Sequence, residues 1–130
     1  MTQEEKQLLL KNLCSRLPYG VLVNFRGNIE VLHEVHIYQS VQTIVGETGI
    51  LYDVDTPNIK PYLRPLLSMT EEEKEEQSKI VMQSMSCSLG NSESATTMLN
   101  DWLLSKHFDV RGIISKGLAL EAPKDMYKTE

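Results

Sequence analysis

The sequence predicts an α+β fold: an N-terminal helix packed on a small antiparallel β-meander of about four strands, then two longer helices and a short C-terminal helix. Three observations carry this reading. Leucines recur at helical spacing between residues 9 and 17, apolar and polar residues alternate from 19 to 54, and helical stripes return after residue 70. A helical stripe buries one side of a helix, whereas strict alternation buries one side of a strand.

Thr2 and Glu5 have the spacing of a capping box, in which two side chains satisfy the first free backbone N–H groups. Leu9, Leu10, Leu13, Cys14 and Leu17 form the stripe that follows, and Pro18 ends it. A helix is therefore expected over about residues 3–17. From Tyr19 to Arg26, Val21, Val23 and Phe25 share one side. From Ile29 to Tyr38, Ile29, Val31, His33, Val35 and Ile37 oppose Glu30, Leu32, Glu34, His36 and Tyr38. A two-residue Gly27-Asn28 loop would pair Phe25 with Glu30, setting one strand's apolar face beside the other's polar face. A three-residue Arg26-Gly27-Asn28 loop pairs Phe25 with Ile29 and Val23 with Val31, and unites the apolar sets. The pattern favours the longer loop and turns His33 towards the core, opposite Val21.

Val41–Val45 and Ile50–Val54 read as two more strands joined by a Gly46-Glu47-Thr48-Gly49 turn. Pro57, Pro61 and Pro65 then predict an irregular stretch, because each lacks a donor N–H and restricts the residue before it. Tyr62, Leu63, Leu66 and Leu67 are expected to cover the sheet edge or one end of the core. Thr70 with Glu73 repeats the capping-box spacing and opens a helix near 71–85, with Glu71, Glu72 and Glu73 where the helix dipole favours negative charge. Ile80, Val81, Met82 and Met85 lie only in its second half, so the helix should dock by its last turns while its first turns face water. Residues 86–97, rich in Ser, Asn and Thr, predict a mobile loop. A third helix is expected over about 93–107, carrying Met98, Leu99, Trp102 and Leu103 on one face. Asp109 can cap a short helix that ends before Gly117, and residues 124–130 are expected to fray. Without a repeat or a domain-sized linker, residues 1–130 read as a single α+β domain.

A chain of 130 residues can bury about two thirds of its unfolded surface, and a hydrophobic fraction of 41% supplies a packed core. The net charge of -5 disfavours non-specific nucleic-acid binding, which needs cations to displace counterions from phosphates. No basic segment with a long apolar run opens the sequence, and no stretch approaches eighteen apolar residues. The expectation is a cytoplasmic protein with no membrane segment, in which Cys14 and Cys87 are reduced, small core residues.

Chemistry-bearing residues are scattered. His33-Glu34-Val35-His36 has half of a zinc motif's residue types, but on a strand the two imidazoles point to opposite faces. His107 ends a helix, where the dipole favours its charged form. Asp53 and Asp55 offer two carboxylates on one side of a strand, a geometry that can hold a divalent cation. With His36 and Glu34 they make the alternative reading, a small metal-dependent hydrolytic enzyme. Arg26, Lys60 and Arg64 carry a third reading, nucleic-acid binding. Glu71, Glu72, Glu75 and Glu76 offer a surface for a basic partner, set against the plainer role of a solvated helix start with Glu75 and Lys79 at i,i+4 spacing. Glycine-rich phosphate loops and a nucleophile elbow do not occur in the sequence.

The segments Lys60-Pro-Tyr-Leu-Arg-Pro-Leu-Leu-Ser-Met-Thr-Glu-Glu-Glu73 and His107-Phe-Asp-Val-Arg-Gly-Ile-Ile-Ser-Lys-Gly-Leu-Ala-Leu-Glu-Ala-Pro123 resemble a family of short hypothetical proteins from gut bacteria, their phages and mobile elements. Cys14-Ser-Arg-Leu-Pro-Tyr-Gly20 matches more loosely, and residues 24–55 are less typical. The resemblance implies a small accessory or regulatory protein and carries over no catalytic residue. The leading expectation is a non-enzymatic module, without cofactor, that binds an unidentified protein partner or self-associates.

Overall fold

The computed structural model describes residues 2–38, 41–54, 56, 58–87, 92–123 and 126–127, and the side chains of 84–87 and 92–96 lie outside that description. The opening helix, α1 (Gln3–Arg16), carries the expected capping box: Glu5 N–H donates to Thr2 Oγ1 at 3.1 Å, and Thr2 N–H to Glu5 Oε1 at 3.0 Å. A short 3₁₀ turn (Leu17–Tyr19) follows at Pro18. The strands are β1 (Leu22–Phe25), β2 (Asn28–Val31), β3 (Glu34–Tyr38), β4 (Val41–Val45), β5 (Leu51–Asp53), β6 (Ile59–Leu63) and β7 (Leu120–Glu121). After a second 3₁₀ turn (Leu66–Ser68), α2 (Glu71–Cys87) and α3 (Ser92–Ser105) pack on each other.

The chain is α+β, but the expected single meander is two sheets. One has strand order β2-β1-β6-β7, and the other has order β3-β4-β5. The alternating run from Ile29 to Tyr38 breaks at Leu32–His33, and the chain crosses from the first sheet to the second. Leu32 N–H still bonds Val21 C=O at 2.9 Å, while His33 N–H already bonds Val45 C=O at 2.8 Å. Leu32 is therefore buried and His33 exposed, the reverse of the expected placement.

The hairpin register also departs from the expectation. Phe25 pairs with Asn28 and Val23 with Glu30 across a two-residue Arg26-Gly27 turn. Both turn residues have positive φ, 56° and 108°, the handedness that matches the twist of the flanking strands. The cost of this register is that Glu30 joins the core face and Ile29 is left 51% exposed. What offsets it is a specific partner. Glu30 Oε1 accepts from Thr48 N–H at 2.9 Å, in the turn between β4 and β5. Gly46 fits against the same carboxylate and the Phe25 ring, where an added Cβ would come within 2.7 Å and 2.8 Å. One buried carboxylate thus ties the two sheets together.

The stretch expected to be irregular is an interior strand. β6 runs antiparallel to β1 and parallel to β7, so Tyr62 and Leu63 are sheet residues, with Leu63 fully buried. Proline is tolerated here because Val23–Pro61 is a non-hydrogen-bonded pair, and pairing with β7 begins only at Tyr62, opposite Leu120. Leu66 is 47% exposed and Leu67 is fully exposed, so Leu67 covers neither the sheet edge nor the core.

Leu9, Leu10 and Leu13 of α1 pack with Val21, Val23, Phe25, Leu32, Ile44, Val54, Ile59 and Leu63, joining both sheets in one core. Cys14 is exposed rather than buried, and its place on the inner face of α1 goes to Asn12 and Arg16. Cys87's side chain lies outside the described residues. The expected short helix after Asp109 is a run of turns, broken by Gly112 at a φ of 68°. Asp109 still caps it, accepting from Ile113 N–H at 2.9 Å and Ile114 N–H at 3.0 Å. Helix extends into both ends of the expected 86–97 loop, and residues 88–91 lie outside the described residues. Within the expected frayed tail, Met126 and Tyr127 are half-buried and the remaining residues lie outside the description.

Candidate functional site

Polar and charged side chains line a cleft of about 740 Å³ beside the first turns of α2. Arg64, Ser68, Thr70, Glu72, Glu73 and Glu76 form one side. Ser105, Lys106, His107, Glu121, Pro123 and Tyr127 form the other. The local rules that built α2 also build this wall. Thr70 and Glu73 make their capping box, at 3.2 Å and 3.0 Å, and this turns the Glu73 carboxylate back towards β6. There it meets Arg64 in a two-pronged ion pair at 2.6 Å and 2.7 Å. Charge-assisted bonds from the Arg64 guanidinium, with the Thr70 donors, hold the Glu73 carboxyl down at about 2. The first turn of α2 is thus tied down through Glu73 alone, while Glu71, Glu72, Lys74 and Glu75 face water as the apolar pattern implied. Arg64 also lies over the Phe108 ring, 4.3 Å from its centroid.

His107 sits at the exit of α3 with a φ of 66°, its ring stacked on Tyr127 at a centroid distance of 3.8 Å. Burial, reinforced by Arg16 and Arg64 nearby, pushes its pKa down to about 4. The helix-end reading favoured the charged form, and desolvation beside two cations overrides it. His107 Nδ1 is buried and has no hydrogen-bond partner among the described residues. Behind it, Arg16 is wholly buried, donating to Asn12 Oδ1 at 2.8 Å and to Phe108 C=O at 2.6 Å. Burial lowers its pKa to about 10, with Asp109 opposing the shift, so it remains charged at neutral pH.

The cleft carries an excess of negative charge. Four carboxylates (Glu72, Glu73, Glu76 and Glu121) face two cations, Arg64 and Lys106. Arg64 is paired with Glu73, and Lys106 lies 4.0 Å from Glu76, which also accepts from Trp102 Nε1 at 3.2 Å. Glu72 and Glu121 have no ion pair among the described residues. The cleft hydroxyls are engaged locally: Ser68 donates to Pro65 C=O at 2.6 Å, and Ser105 to Trp102 C=O at 2.7 Å.

The acidic surface expected at the start of α2 is divided by helical geometry. Glu72 and Glu76 line the cleft, whereas Glu71 and Glu75 line a shallower hollow with Lys74 and Lys79 on another face. His36 and Glu34 sit on one exposed face of β3, 3.4 Å apart. His36 pairs with Thr43, which pairs in turn with Asp53, so these side chains share a sheet face two strands apart. Asp53 lies 3.8 Å from Lys6, and Asp55 is outside the described residues. Among the described residues, no group of three or more His, Cys, Asp or Glu gathers closely enough to hold a metal ion. Arg26 lies in the β1–β2 turn and Lys60 on β6, while Arg64 is committed to Glu73. No helix among the described residues is long and apolar enough to cross a membrane.

Arg16, His107 and Tyr127 were not singled out as a group by their positions in the sequence. The available signal was Asn12 and Arg16, four residues apart on the leucine side of α1, where two polar residues on an apolar face require partners. No family model, no curated protein and no solved structure matches this chain.

Proposed function

We propose that this chain is a non-enzymatic interaction module, a small accessory or regulatory protein of the cytoplasm that binds another protein or a second copy of itself. The observation that supports this best is the acid-rich cleft beside α2, where Glu72 and Glu121 carry charge that no described cation pairs. A segment bearing lysine or arginine is its electrostatic complement. The internal pairing of Arg64 with Glu73 gives the wall a fixed shape at the moment of docking. The resemblance of the 60–73 and 107–123 segments to proteins of phages and mobile elements adds the expectation of an accessory role.

Light-scattering sizing over a range of concentrations separates self-association from a heterologous partner. Binding to an array of lysine- and arginine-bearing peptides should fall about tenfold in the Glu72→Lys, Glu121→Lys double variant and weaken as salt rises. A protein that stays monomeric and binds basic and neutral peptides equally, with or without the two reversals, would remove the proposal.

A further inference from the structure

β1 and β6 lie side by side, but their ladder stops at Val23–Pro61. Arg26 N–H donates to Asn58 C=O at 3.3 Å, so residues 26, 24 and 22 turn their backbone polar groups towards β6. The next pair in register would join Leu22 to Tyr62. Between them stands the hydroxyl of Tyr127, which accepts from Leu22 N–H at 2.8 Å and donates to Tyr62 C=O at 2.7 Å. Leu22 C=O lies a further 3.5 Å from the same oxygen. The phenol ring stacks on the His107 imidazole, with an interplanar angle of 17°.

A hydroxyl can accept and donate at once, which is what a missing ladder bond between an N–H and a C=O requires. A water molecule could bridge the two backbone groups but could not stack. A phenylalanine could stack but would leave both groups unpaired. Burial lifts the Tyr127 pKa to about 12, so the hydroxyl keeps the proton that it donates. The same crowding keeps His107 uncharged and suited to stacking.

We propose that Leu22, Tyr62 and His107 form a phenol-recognition slot, filled in cis by Tyr127 and able to take a para-substituted phenol in trans once that side chain is removed. The trans occupant is either a small free phenol or the tyrosine side chain of another polypeptide. This assignment stands independently of the acidic cleft.

The test is amide hydrogen exchange at Leu22, followed by NMR in the full chain. Tyr127→Ala should speed that exchange at least about tenfold, since a half-buried donor loses its partner. Added p-cresol restores protection if the slot takes a small phenol, and N-acetyltyrosinamide restores it if the slot takes a tyrosine side chain. Toluene and N-acetylphenylalaninamide should restore nothing. Unchanged Leu22 exchange, failure of both phenols, or equal rescue by toluene would each overturn the proposal. Should Tyr127→Ala not fold, Tyr127→Phe keeps the ring and removes only the hydroxyl. Faster Leu22 exchange in that variant supports the slot, and unchanged exchange overturns it.

Discussion

Arg64 and Glu73 show how one residue can serve two structural tasks. The Glu73 carboxylate closes the capping box of α2 and accepts both prongs of Arg64, with side chains 13% and 20% exposed. Removing the guanidinium with Arg64→Ala should cost about 1–3 kcal/mol, read by urea unfolding, because a half-buried carboxylate loses its charged partner. The pH dependence separates Glu73 from His107. Both are depressed in the folded chain, so each contributes stability that is present above its ordinary pKa and lost as pH falls. For His107 the loss runs from about 6.5 down to about 4, and for Glu73 from about 4.5 down to about 2. His107→Asn, which tolerates the positive φ, should flatten the upper window, and Glu73→Gln the lower one. A denaturation series in which both variants keep the slopes of the parent would reject these assignments.

At the scale of the element, the β1–β2 hairpin shows turn chemistry prevailing over hydrophobic pattern. Matching apolar faces argued for three loop residues, yet Arg26 and Gly27 form the two-residue turn whose twist suits a hairpin. Gly27→Ala forces a side chain into a φ of 108° and should cost about 1 kcal/mol in chemical denaturation. Gly46→Ala should cost more, about 1–3 kcal/mol, since its methyl would press on the Glu30 carboxylate and the Phe25 ring. If Gly46→Ala unfolds at the same urea concentration as the parent, the two sheets do not meet as described. β6 makes the complementary point. Three prolines argued for irregular chain, but Pro61 occupies a position that asks for no donor, so the strand survives.

Across the whole molecule, α1 spans a core fed by both sheets, and Glu30 links those sheets through the turn after β4. Glu30→Ala should therefore loosen β1–β2 and β3–β5 together, with amide exchange rising in both sheets at a cost of about 1–3 kcal/mol. Faster exchange confined to one sheet would show that the carboxylate braces only its own hairpin. Both capping boxes, the strands β1 and β4, and the apolar stripe of α1 were legible in the sequence, because each follows from contacts only a few residues apart. The partners of Arg16, His107 and Tyr127 were not, since they lie up to 105 residues away. Local spacing determined the helices α1 and α2 and the strands β1 and β4, through propensity, capping and periodicity, but neither β6 nor the turns after Asp109. Tertiary structure alone decided that one meander divides into two sheets, that a glutamate rather than an isoleucine turns inwards, and that a tyrosine completes a ladder. Those outcomes depend on hydrogen-bond partners and burial that only the folded chain brings together.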